Sequence, residues 1–90
     1  GIAESDPFSS LKIYPNPSTG MFTFEMNNQV YGDLNLTIFT GDGIKIMNIK
    51  YEKNTQYFFK QIDLSGQNEG TYLIKLQIDK HISSRKLIIN

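Results

Sequence analysis

The sequence predicts an all-β sandwich of about seven short antiparallel strands, on three observations. Apolar and polar residues alternate with period 2 in seven stretches, about ten residues apart, separated by Gly, Pro, Asn, Asp and Ser. The apolar residues are skewed toward pleated surfaces: twelve Ile, six Phe and five Tyr stand against a single Ala, the best helix former. No segment carries a helical period, and none is of low complexity. Ninety residues suffice for one domain with one modest core.

Residues 1–10 (GIAESDPFSS) are polar and read as a linker, with the folded domain running over 11–90. Leu11–Tyr14 alternates as a short first strand and is stopped by Pro15. Pro15 and Pro17 lack N–H donors and cannot lie inside a central strand. Asn16-Pro17-Ser18-Thr19 suits a type I turn, with both X–Pro bonds trans by default, and Gly20 is free to take a positive φ. This stretch reads as a rigid corner between two strands. Phe22, Phe24 and Met26 then share one parity, against Thr23 and Glu25, in a half-buried second strand.

After a loop from Asn27 to Gly32, Leu34, Leu36 and Ile38 alternate with Asn35, Thr37 and Phe39. Thr40-Gly41-Asp42-Gly43 is the strongest hairpin signal, Asp-Gly supplying positive φ values. Ile44 and Ile46 follow in phase, but Met47, Ile49 and Tyr51 fall on the other parity. That slip predicts a β-bulge or a strand that changes sheets. The fifth strand runs from Tyr57 to Leu64. Lys60 shares the apolar parity of Phe58, Ile62 and Leu64, so either it snorkels or the phase shifts there. Tyr72, Ile74, Leu76 and Ile78 form the cleanest alternation. Asp79-Lys80-His81 turns the chain into a last strand, Ile82–Ile89. Leu87-Ile88-Ile89 is apolar on both parities, so that strand is expected to be covered on both sides or to offer an edge.

The composition excludes several function classes. Nine basic and nine acidic residues balance, with no basic stripe, so nucleic acid is not an expected partner. There is no cysteine for a disulfide or thiolate site. No run is long enough to span a bilayer as a helix, and no signal-peptide pattern is present, as expected for a piece of a longer protein. An enzyme is not expected either. His81, the one histidine, lies at a turn; the carboxylates are spread singly; no nucleophile elbow, phosphate loop or complete calcium loop occurs. Nothing implies a metal or a cofactor. Tyr31, Tyr51, Tyr57 and Phe39 fall on polar parities or in loops. A flat row of such aromatics would stack on sugars, which keeps a carbohydrate-binding or adhesive sandwich as the alternative reading.

Taken in order, several pieces form a recognisable set. They are Leu11-Lys12-Ile13-Tyr14-Pro15-Asn16-Pro17-Ser18-Thr19-Gly20, a Gly-containing hairpin, Ile62-Asp63-Leu64-Ser65, Gly70-Thr71-Tyr72, and a terminal Lys86-Leu87-Ile88-Ile89. The set resembles the C-terminal sorting domain of type A cargo of the type IX (Por) secretion system of Bacteroidota, over residues 11–90. The resemblance implies an immunoglobulin-like β-sandwich that is a signal and not a catalyst. It implies partners: an upstream cargo domain in cis, the outer-membrane translocon, and a surface sortase-type peptidase that commonly removes the domain. It implies transit through the periplasm to the cell surface or medium, without stable membrane insertion. By position, Pro15, Asn16, Pro17 and Gly20 match the first motif, Gly43 the hairpin glycine, and Gly70 and Tyr72 the second motif. Lys86, Leu87, Ile88, Ile89 and Asn90 form the terminal segment, the expected translocon contact, with a free edge for strand addition. Two departures stand out: Gln67 and Asn68 replace a leucine and a frequent proline, and Asp79-Lys80 replaces Asp-Gly. Both fall in loops and predict altered loop shape.

Overall fold

The structure, a computed structural model, describes residues 6–90. Seven strands follow in order: β1 (Lys12–Tyr14), β2 (Met21–Asn27), β3 (Gly32–Thr40), β4 (Lys45–Lys53), β5 (Tyr57–Asp63), β6 (Gly70–Ile78) and β7 (His81–Ile89). They build two antiparallel sheets, ordered β1-β2-β5 and β4-β3-β6-β7. This is an immunoglobulin-like layout in which the fourth strand sits beside the third.

Alternation places the core between the sheets. Phe22, Phe24 and Met26 of β2 face inward, as do Leu34, Leu36 and Ile38 of β3 and Ile74, Leu76 and Ile78 of β6; all are buried. Each such side chain stabilises the fold by roughly 2–3 kcal/mol. The phase slip in the fourth strand is a bulge. Register passes from Ile38 opposite Met47 to Phe39 opposite Lys45, which leaves Ile46 as the extra residue. Two consecutive residues, Ile46 and Met47, thereby both reach the core, with Ile49 and Tyr51 behind them.

The hairpin at Gly41–Gly43 differs from a two-residue Asp-Gly turn. Gly43 N donates to Thr40 O (2.9 Å) and Thr40 N to Ile44 O (2.8 Å). Positive φ occurs there only at Gly43 (+87°), because the bulged β4 closes a longer loop. At the last hairpin Asp79 takes φ +53° and Ile78 pairs with His81. Lys60 snorkels: its Cα pairs with Phe24, yet the side chain is exposed, with Nζ 5.3 Å from the Phe58 ring centre and 5.8 Å from that of Tyr51.

The strand directions gather the loops at two ends, about 30 Å apart for nine-residue strands. The proximal end holds 6–11, 28–31, 54–56 and 79–80; the distal end holds 15–20, 41–44, 64–69 and 90. Residues 1–5 of the expected linker lie outside the described residues. The rest of it is packed: Ser9 N bonds Asp6 O and Leu11 N bonds Phe8 O in successive turns, and Phe8 is fully buried. Asn28 Nδ2 holds Pro7 O (2.7 Å), Arg85 Nη2 holds Phe8 O (3.3 Å), and the Ser10 hydroxyl bonds both Asn27 O and Asn27 N. A lone phenylalanine among polar residues has no periodicity to place it, so its burial was not legible in the sequence.

Candidate functional site

The distal end brings the two sequence motifs and the terminal segment together on β7. The backbone of residues 15–18 offers few donors, because two of its residues are proline. The Asn16 side chain acts in their place as a peptide group. Its Oδ1 accepts from Ile88 N (3.0 Å) and its Nδ2 donates to Lys86 O (2.8 Å). Ser18 continues the seam with its own backbone: Ser18 N donates to Ile88 O (2.7 Å) and Asn90 N to Ser18 O (2.9 Å), an isolated parallel bridge. Four outward peptide groups of the last strand are thus paired across 70 residues of sequence.

Three expectations are corrected here. The predicted type I turn would close Thr19 N on Asn16 O; instead the polar groups of the corner are drawn to β7. The Tyr14–Pro15 and Asn16–Pro17 bonds are both cis, where trans was the default. The terminal strand also lacks the free edge expected for strand addition between Lys86 and Asn90, since Asn16 and Ser18 occupy it. Pro15, Asn16 and Pro17 themselves lie exposed on this edge.

Beneath the seam, Ser18 is 1% exposed. Its hydroxyl donates to Met21 O (2.7 Å) and accepts from Gly20 N (2.9 Å). Gly20 takes φ +128° and its carbonyl accepts from Leu64 N (2.8 Å). The approach is so close that a Cβ on Gly20 would stand 2.6 Å from Ser65 Cα. Only glycine fits, both for φ and for space. The Ser65 hydroxyl and N–H in turn hydrogen-bond Asp63, holding its carboxyl below the ordinary value.

The other side of β7 pairs with β6: Gly70 with Ile89, Thr71 with Ile88, Tyr72 with Leu87. Tyr72 is buried and its hydroxyl donates to Asn68 O (2.5 Å), the tyrosine-corner bond of immunoglobulin-like folds. Gln67 and Asn68, the departures from the motif, therefore act through main chain: Gln67 N bonds Leu64 O and Asn68 supplies that carbonyl. Gly70 takes φ +150° at the strand entry. Leu87 and Ile89 point into the core, 0% and 4% exposed, whereas Ile88 is 40% exposed on the outer face beside Lys86. The last strand is therefore covered on one face, not two. Gly43 lies across a groove from Lys86, with Phe39, Thr71 and Leu73 between them. Ser18 and Ser65 belong to this end as much as any motif residue; both stand in stretches that the sequence singled out, Ser18 in the proline-rich corner and Ser65 after Leu64, but neither was named as a site residue.

The aromatics of the alternative reading do not form a row. Tyr51 packs inward, its ring 5.8 Å from those of Phe24 and Phe58. Tyr31 stands at the proximal end under Lys53 Nζ (4.8 Å). Phe39 lies on the outer face of the four-stranded sheet. Tyr57 lies on that of the other sheet, where its hydroxyl donates to Glu25 Oε2 (2.7 Å). Bonds from Tyr57 and Tyr14 hold the Glu25 carboxyl low. His81 stands at the proximal end, lining a hollow with Asp6 and Asn28. Among the described residues no three His, Cys, Asp or Glu side chains are grouped to hold a metal ion.

A family model described as "Secretion system C-terminal sorting domain" matches residues 12–90. No curated protein matches the chain.

Proposed function

We propose a mode of action from one premise: the chain belongs to the family of secretion-system C-terminal sorting domains. The family serves type IX secretion, is not an enzyme family, and marks a secreted or cell-surface protein that engages the type IX machinery. In our proposal the distal end is the part that is read. The outer-membrane translocon meets Lys86–Asn90 as one surface of a rigid end that also contains Pro15, Asn16, Pro17 and Gly20. Recognition uses side chains and outline and not strand addition, since a preformed end loses little entropy on binding. Gly43, Gly70 and Tyr72 act by holding that end in shape.

The observation that supports this is the seam itself: Asn16 and Ser18 pair the outward peptide groups of Lys86, Ile88 and Asn90. Cargo joins at the opposite end, through residues 1–10, and passes the periplasm ahead of the domain. A surface peptidase that releases the cargo cuts on its side of Phe8, because Phe8 is part of the core.

The test is a periplasmic reporter fused ahead of residues 1–90 in a Bacteroidota host. Deleting Lys86–Asn90 removes core side chains as well as the seam, so Asn16→Ala is the sharper variant. It should keep its fold, with a Tm slightly below the parent's, and lose most surface delivery. Undiminished delivery with both variants would contradict the proposal.

A further inference from the structure

The chain has no formal net charge, yet its charge is unevenly placed. Four of its nine basic residues, Lys45, Lys50, Lys75 and Lys86, lie on the outer face of the four-stranded sheet. Their cross-strand neighbours are uncharged. Lys45 pairs with Phe39 and Lys50 with Asn35. Lys75 lies between Thr37 and Ser84, and Lys86 is opposite Leu73. The acids of this face, Asp33 and Glu52, are paired with each other at its proximal extremity. Asp42 and Glu69 belong to the distal end loops and line an adjoining hollow.

The distal half of the same face is apolar between its lysines. Register sets Phe39, Leu73 and Lys86 in one row across β3, β6 and β7, with Ile88 opposite Thr71 in the next. Leu73 is 42% and Ile88 40% exposed. A groove opens here because the hairpin beside it carries glycine. Gly43 has open space where a side chain would stand, and a Cβ on Gly41 would press to 3.2 Å from Thr71 O.

We infer that this groove takes an acidic, aliphatic segment of a protein partner, its apolar side chain entering between Phe39, Thr71 and Leu73 and its carboxylates meeting Lys86 and the neighbouring lysines of the face. Charge complementarity selects the acid, and the recess selects a side chain. A bilayer suits the groove less well, because membrane binding uses apolar side chains that project, whereas Phe39 and Leu73 line a recess. The inference rests on the sorting proposal and names the chemistry of its partner surface.

The test has two arms. In the first, amide shifts of the 1–90 chain are followed while adding a short peptide alternating Glu and Leu, its counterpart with Lys for Glu, or vesicles of phosphatidylethanolamine and phosphatidylglycerol. The Glu peptide should shift Phe39, Thr71, Leu73 and Lys86, and the combined K45E, K75E and K86E variant should bind it about tenfold more weakly. Absence of those shifts, equal response to the Lys peptide, or vesicle binding through the same residues would each overturn the inference. In the second arm, surface delivery is compared between that variant and Asn16→Ala. Loss in both supports the inference. Loss only in Asn16→Ala keeps the sorting proposal and removes the acidic partner, and loss in neither overturns the inference, with the Lys86–Asn90 deletion then deciding the sorting proposal itself.

Discussion

The two ends of the sandwich close their loops with different chemistry. The proximal end uses large side chains: Phe8 plugs the core, and the buried Lys53 ammonium donates to Asn28 O (3.2 Å), Val30 O (2.9 Å) and Thr55 O (2.8 Å). One cation gathers two loops, and all three of its donors are used. Burial pulls its pKa below the ordinary lysine value, while the three carbonyl acceptors favour the charged form. The distal end uses small residues and main chain: one asparagine, one serine, one glycine and the last strand. A plug tolerates exchange for another apolar group of similar size. A seam of directed hydrogen bonds and a 2.6 Å approach tolerates almost none. The end built from small groups is therefore the one expected to tolerate substitution least.

Substitutions at the two ends sharpen that contrast. The largest effect is expected at Phe8→Ala, which empties a fully buried site and should cost about 4 kcal/mol in urea unfolding; a loss under about 1 kcal/mol would mean that 6–10 is a linker after all. Gly20→Ala should cost about 3 kcal/mol, from its φ and the clash with Ser65. An unchanged Tm would show that the corner can back away from 65. Lys53→Met should cost about 2 kcal/mol, because three inward carbonyls lose their donor. Amide exchange should rise in the loops at 28–31 and 54–56 while the distal end stays protected. A rise spread over both ends would deny that they are closed independently.

Asp63→Asn probes the smallest effect. Hydrogen bonds from Ser65 depress the folded-state pKa of this carboxyl, so the folded state binds its proton less readily than the unfolded chain. The stability it contributes is complete above the ordinary value of about 3.8 and fades as pH falls through the lower, folded value. The wild type should lose stability on that acid limb and Asp63→Asn should lose less. Parallel acid limbs would assign the dependence to another group.

How much of this was legible in the sequence follows from the range of each interaction. Strand positions were, because period 2 is local; so was the break in phase at Ile46 and Met47, although a bulge and a change of sheet both fitted it and the structure decides for the bulge. The family was legible through resemblance, over nearly the same span as the match to residues 12–90. The contacts of the corner residues were not. Asn16 bonds residues 70 and 72 positions away, and its local context, between two prolines, points to a self-contained turn. Lys53 at the end of a strand looks like any solvated lysine, and nothing near it in the chain announces three carbonyls. Tyr51 and Tyr57 carry the same side chain on either side of the loop at 54–56, yet one packs against the core and the other stands outside; the bulge and the sheet change decide which.

The pairing of corner and terminal strand is tested most directly by hydrogen exchange at Ile88 and Asn90. Both amides should be protected in the parent chain. In Asn16→Ala, Ile88 should lose protection, while Leu87 and Ile89, whose side chains lie in the core, keep theirs. Rapid exchange of Ile88 in the parent, or unchanged protection in the variant, would mean that the edge of the last strand is open and the distal end is not one unit.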